Sequence, residues 1–151
     1  MLEIVKGIED PRIRLAADDP VRPEIPWEFR VGPFSEMFVL CSDLGEPEAA
    51  VCCAYRGAVP VNTLELAALP EDVPSVAVFY TIWSYKPGAG RRLIISARQW
   101  IIEHRPEIAE FVTLSPPTEM ARVFHLRNGA EVFRVNSDSV NYLYPRADAV
   151  F

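Results

Sequence analysis

The sequence predicts a single mixed α/β domain in which helices pack against a mostly antiparallel central sheet. Three observations carry that expectation. Residues 75–84 (SVAVFYTIWS) are β-branched, aromatic or otherwise apolar almost throughout, the pattern of a central strand covered on both faces. Residues 90–105 change period, with Leu93, Ile94, Ala97, Trp100, Ile101 and His104 on one stripe of a helix. The shorter apolar runs around these segments are broken by turn residues at hairpin spacing. A chain of 151 residues suits one domain, and 50% hydrophobic against 24% charged residues allows a core without disulfide or metal staples.

Along the chain, residues 1–35 are rich in charge and Pro, and Pro11, Pro20, Pro23, Pro26 and Pro33 cut them into short pieces. One short helix is expected over 11–18. Residues 36–42 and 49–56 flank the turn DLGEPE and read as a hairpin. An apolar stretch over 59–69 ends at the Pro-bounded loop LPEDVPS, after which the central strand begins. The long helix stops before Pro106, because the residue ahead of a Pro avoids helical angles. Residues 110–114 form a short strand. Thr118 is a good N-cap for a helix over 119–128, which Asn128-Gly129 ends in a left-handed cap. Residues 130–136 and 140–144 make a last hairpin around Ser137-Asp138.

Charge and cysteine usage narrow the function. The net charge of −6 disfavours nonspecific binding to nucleic acid or to anionic membrane, both of which need a basic surface. Cys41 stands alone, and the adjacent Cys52 and Cys53 point to opposite faces of a strand. No spaced Cys/His set exists, so no metal site is expected, and the thiols read as reduced core residues of a cytoplasmic protein. No apolar run approaches the ~18 residues of a membrane span, and the N-terminus MLEIVKGIED does not read as a signal peptide. A monomer or a homodimer is expected.

Chemistry concentrates in residues 79–94 (FYTIWSYKPGAGRRLI), where a buried strand runs through a loop with two Gly into an amphipathic helix. Gly88 and Gly90 let backbone N–H groups approach a ligand, and the helix start adds unpaired N–H groups and the positive end of its dipole. Together they suit a phosphate. Residues 86–105 carry Lys86, Arg91, Arg92, Arg98 and Arg105 against Glu103 alone, while residues 36–80 carry seven acids against Arg56. Two nucleotide loops fail on spacing. No Lys-Ser/Thr follows the second Gly, as G-x-x-x-x-G-K-[ST] requires, and position 93 is Leu where G-x-G-x-x-G needs Gly.

Tyr85-Lys86-Pro87-Gly88-Ala89-Gly90 resembles the coenzyme A motif [Q/R]-x-x-G-x-[G/A] of the GNAT acyltransferases, with Tyr in place of the first Gln or Arg. Ala121-Arg122-Val123-Phe124-His125-Leu126-Arg127-Asn128-Gly129-Ala130 is similar to a second GNAT stretch, A-x-x-F-Y-x-x-x-G-F. The resemblance covers residues 36–145 of a single 1–151 domain, with 1–35 as a variable N-terminal part. It implies an acyl-CoA co-substrate, acetyl-CoA first among them, and direct transfer to an unidentified amine. It also implies that backbone N–H groups of Gly88, Ala89, Gly90 and Arg91 hold the pyrophosphate, with Lys86 and Arg92 adding charge. Phe79, Tyr80 and Thr81 would align the pantetheine and polarise the thioester carbonyl. His125 stands where many relatives carry the Tyr that protonates the departing thiolate, and it takes that role in this reading. No Asp or Glu lies in 75–85, so a carboxylate base on the strand is absent.

Two alternatives stay open. Thr113-Leu114-Ser115-Pro116 resembles a segment of the malonyl-CoA decarboxylases, in which a Ser and a His act on the acyl group, so Ser115 with His125 would serve decarboxylation or acyl-CoA hydrolysis. The string LSPPTEMARVFHLRNGA is also similar to GNAT-like proteins of tailed phages, which points to a non-catalytic binding or assembly role. Glu119 reads as a dipole partner of its helix, His104 as a structural residue at a helix end, and Trp83, Tyr85 and Trp100 as core.

Overall fold

A computed structural model describes residues 1–146, so the last five residues of the expected 1–151 domain lie outside the described part. Among the described residues seven strands form one sheet: β1 (Leu2–Ile4), β2 (Ser35–Cys41), β3 (Pro47–Arg56), β4 (Val76–Ser84), β5 (Glu110–Thr113), β6 (Glu131–Val135) and β7 (Val140–Tyr144). Their order is β1-β2-β3-β4-β5-β7-β6. Every pairing is antiparallel except β4 with β5. That exception arises from the connection, because a long helix joins the two strands and a helical crossover returns the chain parallel.

The helix is α3 (Ala89–His104), which comes after two single-turn helices, α1 (Trp27–Arg30) and α2 (Thr63–Leu66). Leu93, Ile94, Ala97 and Ile101 are fully buried on α3, against Phe38, Val51, Cys53 and Phe79 of the sheet. Each of the buried Leu and Ile side chains contributes roughly 1.5–3 kcal/mol. Trp100 packs edge-on against Phe38, and His104 stacks on Trp100 at the open end of the stripe, as the sequence expects of both. α4 (Glu119–Arg127) begins where Thr118 Oγ1 accepts from the Ala121 N–H at 3.2 Å and ends at Gly129 with φ 96°.

The opposite face carries Met37, Val39, Cys52, Ala54, Val78 and Tyr80, beneath Ile13, Ile25 and Leu66. Cys52 and Cys53 do face opposite layers, and all three thiols are buried and unbridged. The 3-10 helix Pro11–Asp18 lies where a short helix is expected, and Pro11 opens it behind the Asp10 cap. The segment between this helix and α1 is held by charge. Arg30 pairs with Asp19 at 2.8 Å, both side chains fully buried, and Arg30 also donates to Arg22 O at 2.7 Å and Ile25 O at 3.2 Å. Asp19 accepts in addition from the Val21 and Arg22 N–H groups. β1, α1 and α2 are not legible in the sequence because elements of three or four residues carry no period.

Candidate active site

β4 and β5 run together only from Val76–Glu110 to Phe79–Thr113. The Leu114 N–H closes the ladder on Phe79 O at 3.1 Å. Ser115 then leaves β4 and pairs with Val140 of β7 through two backbone bonds of 3.0 and 2.9 Å. On β4, Cys53 faces Phe79 and Cys52 faces Thr81, so Tyr80 is an extra, bulged residue. Beyond the bulge β4 has no partner on its β5 side among the described residues, and a wedge opens. Its volume is about 730 Å³, lined by Phe79 to Ser84, by Ser115 and Pro116, by Ala121, Phe124 and His125 of α4, and by Pro20 and Val21. Among the described residues no Asp or Glu lines it.

A second recess of about 500 Å³ lies around the Gly88 turn and shares Ser84 and Phe124 with the wedge. Gly88 caps α3 with φ 78°, a left-handed angle that favours Gly. Gly90 is required for a different reason. A Cβ there would sit 2.9 Å from Ser84 Oγ and 3.1 Å from the Phe124 ring, so its absence lets β4, α3 and α4 meet at the floor of the recess. Among the described residues the N–H groups of Gly88, Gly90 and Arg91 have no backbone acceptor, whereas Ala89 N–H closes the turn on Lys86 O at 3.2 Å.

The basic cluster read along the chain is dispersed in space. Lys86 and Arg92 both approach Glu48 of β3, at 3.6 and 3.5 Å, and Arg105 pairs with Glu36 of β2 at 2.5 Å. Arg98 is buried and donates to Pro145 O. Arg91, which donates to Asn128 Oδ1 at 3.0 Å, lines the recess at the Gly turn together with Lys86 and with Arg127, whose relevance sequence reasoning missed. Tyr85, at the first position of the CoA-like motif, turns its hydroxyl to Asp18 at 2.6 Å and accepts from Trp83 Nε1.

His125 is 5% exposed and lines the wedge. Its Nδ1 lies 2.7 Å from Tyr144 Oη, and its ring stacks on Tyr142 at 5.0 Å. Burial pushes the imidazole down to about 4. The ring is therefore neutral at neutral pH. Ser115 lines the same wedge, but its hydroxyl donates to Thr113 Oγ1 at 2.7 Å and not to His125. Thr81 Oγ1 donates to Tyr80 O, which also accepts from Arg22 Nη1. The Tyr80 ring lies on the far face of the sheet, edge-on to Phe29. Glu119 is exposed and pairs with Arg122 outside the wedge.

Among the described residues no group of three or more His, Cys, Asp or Glu is placed to hold a metal ion, and no helix is long and apolar enough to cross a membrane.

No family model matches the sequence, and no curated protein does. Solved structures do. A malonyl-CoA decarboxylase from Agrobacterium vitis is similar at TM-score 0.77 and 18% identity, over 95% of this chain and 60% of that one. The chain thus spans about three-fifths of that enzyme's length. A GNAT-family protein from Desulfovibrio desulfuricans matches at TM-score 0.67 and 13% identity, over 97% of this chain and 99% of that one. The GNAT domain of S. lividans PAT matches at 0.64 and 13%, over 95% and 88%. The fold, with its split between β4 and β5 and its mixed, mostly antiparallel sheet, is the GNAT fold.

Proposed function

We propose that the protein binds an acyl-CoA and transfers its acyl group, acetyl in the simplest case, to an amine. One observation carries this reading. The wedge between β4 and β5 adjoins the recess over the Gly88 turn, the two sharing Ser84 and Phe124, so a helix start with N–H donors lies next to a buried strand bulge. The pyrophosphate would lie on the Gly88, Gly90 and Arg91 N–H groups, with the Arg91 and Arg127 side chains beside it. The pantetheine would run along the unpaired edge of β4. The thioester would lie at Phe79 to Thr81, where backbone N–H groups at the bulge would polarise the carbonyl. Most of the rate would come from holding thioester and amine together.

A second reading is favoured by Ser115 and His125, which line the same wedge. Decarboxylation of malonyl-CoA needs no amine. The bond from the methylene carbon to the carboxylate carbon breaks, carbon dioxide leaves, and the electron pair moves to the thioester oxygen as an enolate before the methylene carbon takes a proton. An apolar wall strips water from the carboxylate and favours that loss.

Calorimetry with acetyl-CoA tests the shared claim. Saturable binding is expected, weakened at least about tenfold in Arg91→Glu, since a charged hydrogen bond is worth roughly 1.5–3 kcal/mol. Absence of any heat at millimolar ligand would sink it. Thiol release that requires an amine assigns transfer, and carbon dioxide release from malonyl-CoA without an amine assigns the second reading.

A further inference from the structure

Residues 18–22 form a strap along the free part of β4, tied to it at both ends. Tyr85 Oη donates to Asp18 Oδ2 at 2.6 Å and accepts from Trp83 Nε1 at 2.9 Å, which fastens one end beside the close of β4. Arg22 Nη1 donates to Tyr80 O, which fastens the other end at the bulge. The carboxylates of Asp19 and Glu24 offset the charge of that guanidinium. Between the ends, Asp19 accepts from the Val21 and Arg22 N–H groups at 2.9 and 2.8 Å, and Arg30 Nη2 donates to Arg22 O at 2.7 Å. The polar groups of the strap are thus spent on fixing its path.

What the strap offers the wedge is apolar. Pro20 and Val21 line it together with Pro116, Met120 and Phe124. Val21 is 38% exposed and Met120 84%, so large apolar groups are left open at the rim of a cavity. Such a rim marks a place that an apolar part of a ligand covers. Among the described residues no Lys, Arg, Asp or Glu lines the wedge, and its imidazole is neutral. Position says which part of the ligand this is. The recess at the Gly88 turn meets the wedge at Ser84 and Phe124, so pantetheine would enter there and follow β4 to the bulge. Pro20, Val21, Pro116 and Met120 line the wedge and not the recess. Val21 neighbours Arg22, which holds Tyr80 O, so it stands close to where the thioester would lie. The group joined to the thioester is then the one that meets this wall.

We propose that the wedge selects an acyl group longer and more apolar than acetyl, a straight saturated chain such as butanoyl or hexanoyl, and that Val21 is a specificity-determining residue for it. The proposal rests on the acyl-CoA reading above. The chain runs on from the thioester between the strap and α4, where its methylenes cover Val21 and Met120. Each methylene taken out of water tightens binding about fourfold. A carboxylate at the end of the chain, as in malonyl, gives up its water against apolar walls and binds more weakly.

The test is calorimetric titration of the full chain with acetyl-, butanoyl-, hexanoyl- and malonyl-CoA. Butanoyl-CoA should bind at least about tenfold more tightly than acetyl-CoA, and hexanoyl-CoA more tightly again. Malonyl-CoA should bind at least about tenfold more weakly than butanoyl-CoA. Val21→Asp sets a carboxylate on the wall and should cut the ratio of hexanoyl to acetyl affinity at least about tenfold. Val21→Ala only shortens a partly exposed side chain, so it provides a second variant whose fold is secure, and it should lower the same ratio about fourfold. Acetyl-, butanoyl- and hexanoyl-CoA binding within about twofold of one another overturns the proposal and assigns the apolar lining to pantetheine or to an apolar amine. Malonyl-CoA binding as tightly as butanoyl-CoA, or a ratio unchanged in both Val21 variants, overturns it as well. The two claims stay apart in the same data. Equal heats from the unbranched acyl-CoAs defeat chain selection alone, whereas no heat from any acyl-CoA defeats the acyl-CoA reading and chain selection with it.

Discussion

The state of His125 can be read out through stability. The unfolded ring titrates near 6.5 and the folded ring near 4, because burial among Phe124, Tyr142 and Tyr144 removes the water that would stabilise the cation. Between those values the unfolded chain binds a proton that the folded chain does not. Folding stability contributed by this group is therefore complete above pH 6.5 and is lost as pH falls towards 4. At about 1.36 kcal/mol per pH unit the loss reaches about 3 kcal/mol. The buried carboxyl of Glu36, pushed up by its own burial, acts in the opposite sense, so the measurement must be made against a variant. Urea unfolding at a series of pH values is expected to show wild type losing about 3 kcal/mol relative to His125→Gln between pH 6.5 and 4. Ring resonances of His125 should not move between pH 5.5 and 8. A ring that titrates with a midpoint near 6.5, or a flat difference between the two proteins, would refute the effect of desolvation and restore His125 as a proton donor at neutral pH.

Further outcomes are expected. Arg30→Met leaves the Asp19 carboxylate buried and unpaired and should cost about 3–5 kcal/mol in urea unfolding. Asp19→Asn should cost less, since its amide oxygen still accepts from Val21 and Arg22 N–H, and Arg30 keeps Ile25 O and Arg22 O. Gly88→Ala forces a side chain into φ 78° and should cost about 1–2 kcal/mol in the same assay. Gly90→Ala should weaken acetyl-CoA binding in calorimetry more than it lowers stability, because the ring it displaces, Phe124, lines both the wedge and the recess.

Local features are legible in the sequence. The stripe of α3, the Thr118 cap and the Asn128-Gly129 stop depend on residues within a few turns of each other, and each falls where the pattern places it. Long-range partners are not. The basic cluster over 86–105 looks like one patch because counting along the chain ignores Glu48 and Glu36, which stand opposite on neighbouring strands. Tyr85 looks like a motif position, but its partner Asp18 lies 67 residues away. His125 is visible as a residue type at a motif position. Its neutral state is not, since two tyrosines of β7 and the rest of the buried surround create it.

The N-terminal Pro cluster gains a physical account from the same long-range contacts. Its prolines shorten the segment into turns, and the Asp19–Arg30 pair fixes how those turns seat on the sheet. A buried ion pair is weak evidence for stability, because apolar residues of the same volume often stabilise as much. It does specify one seating, since any other would leave both charges unmet. That seating places Pro20 and Val21 on the wall of the wedge and Arg22 against the Tyr80 carbonyl. Loosening the pair should therefore disturb the wedge, so ligand binding in Arg30 variants should fall even under conditions where the sheet remains folded.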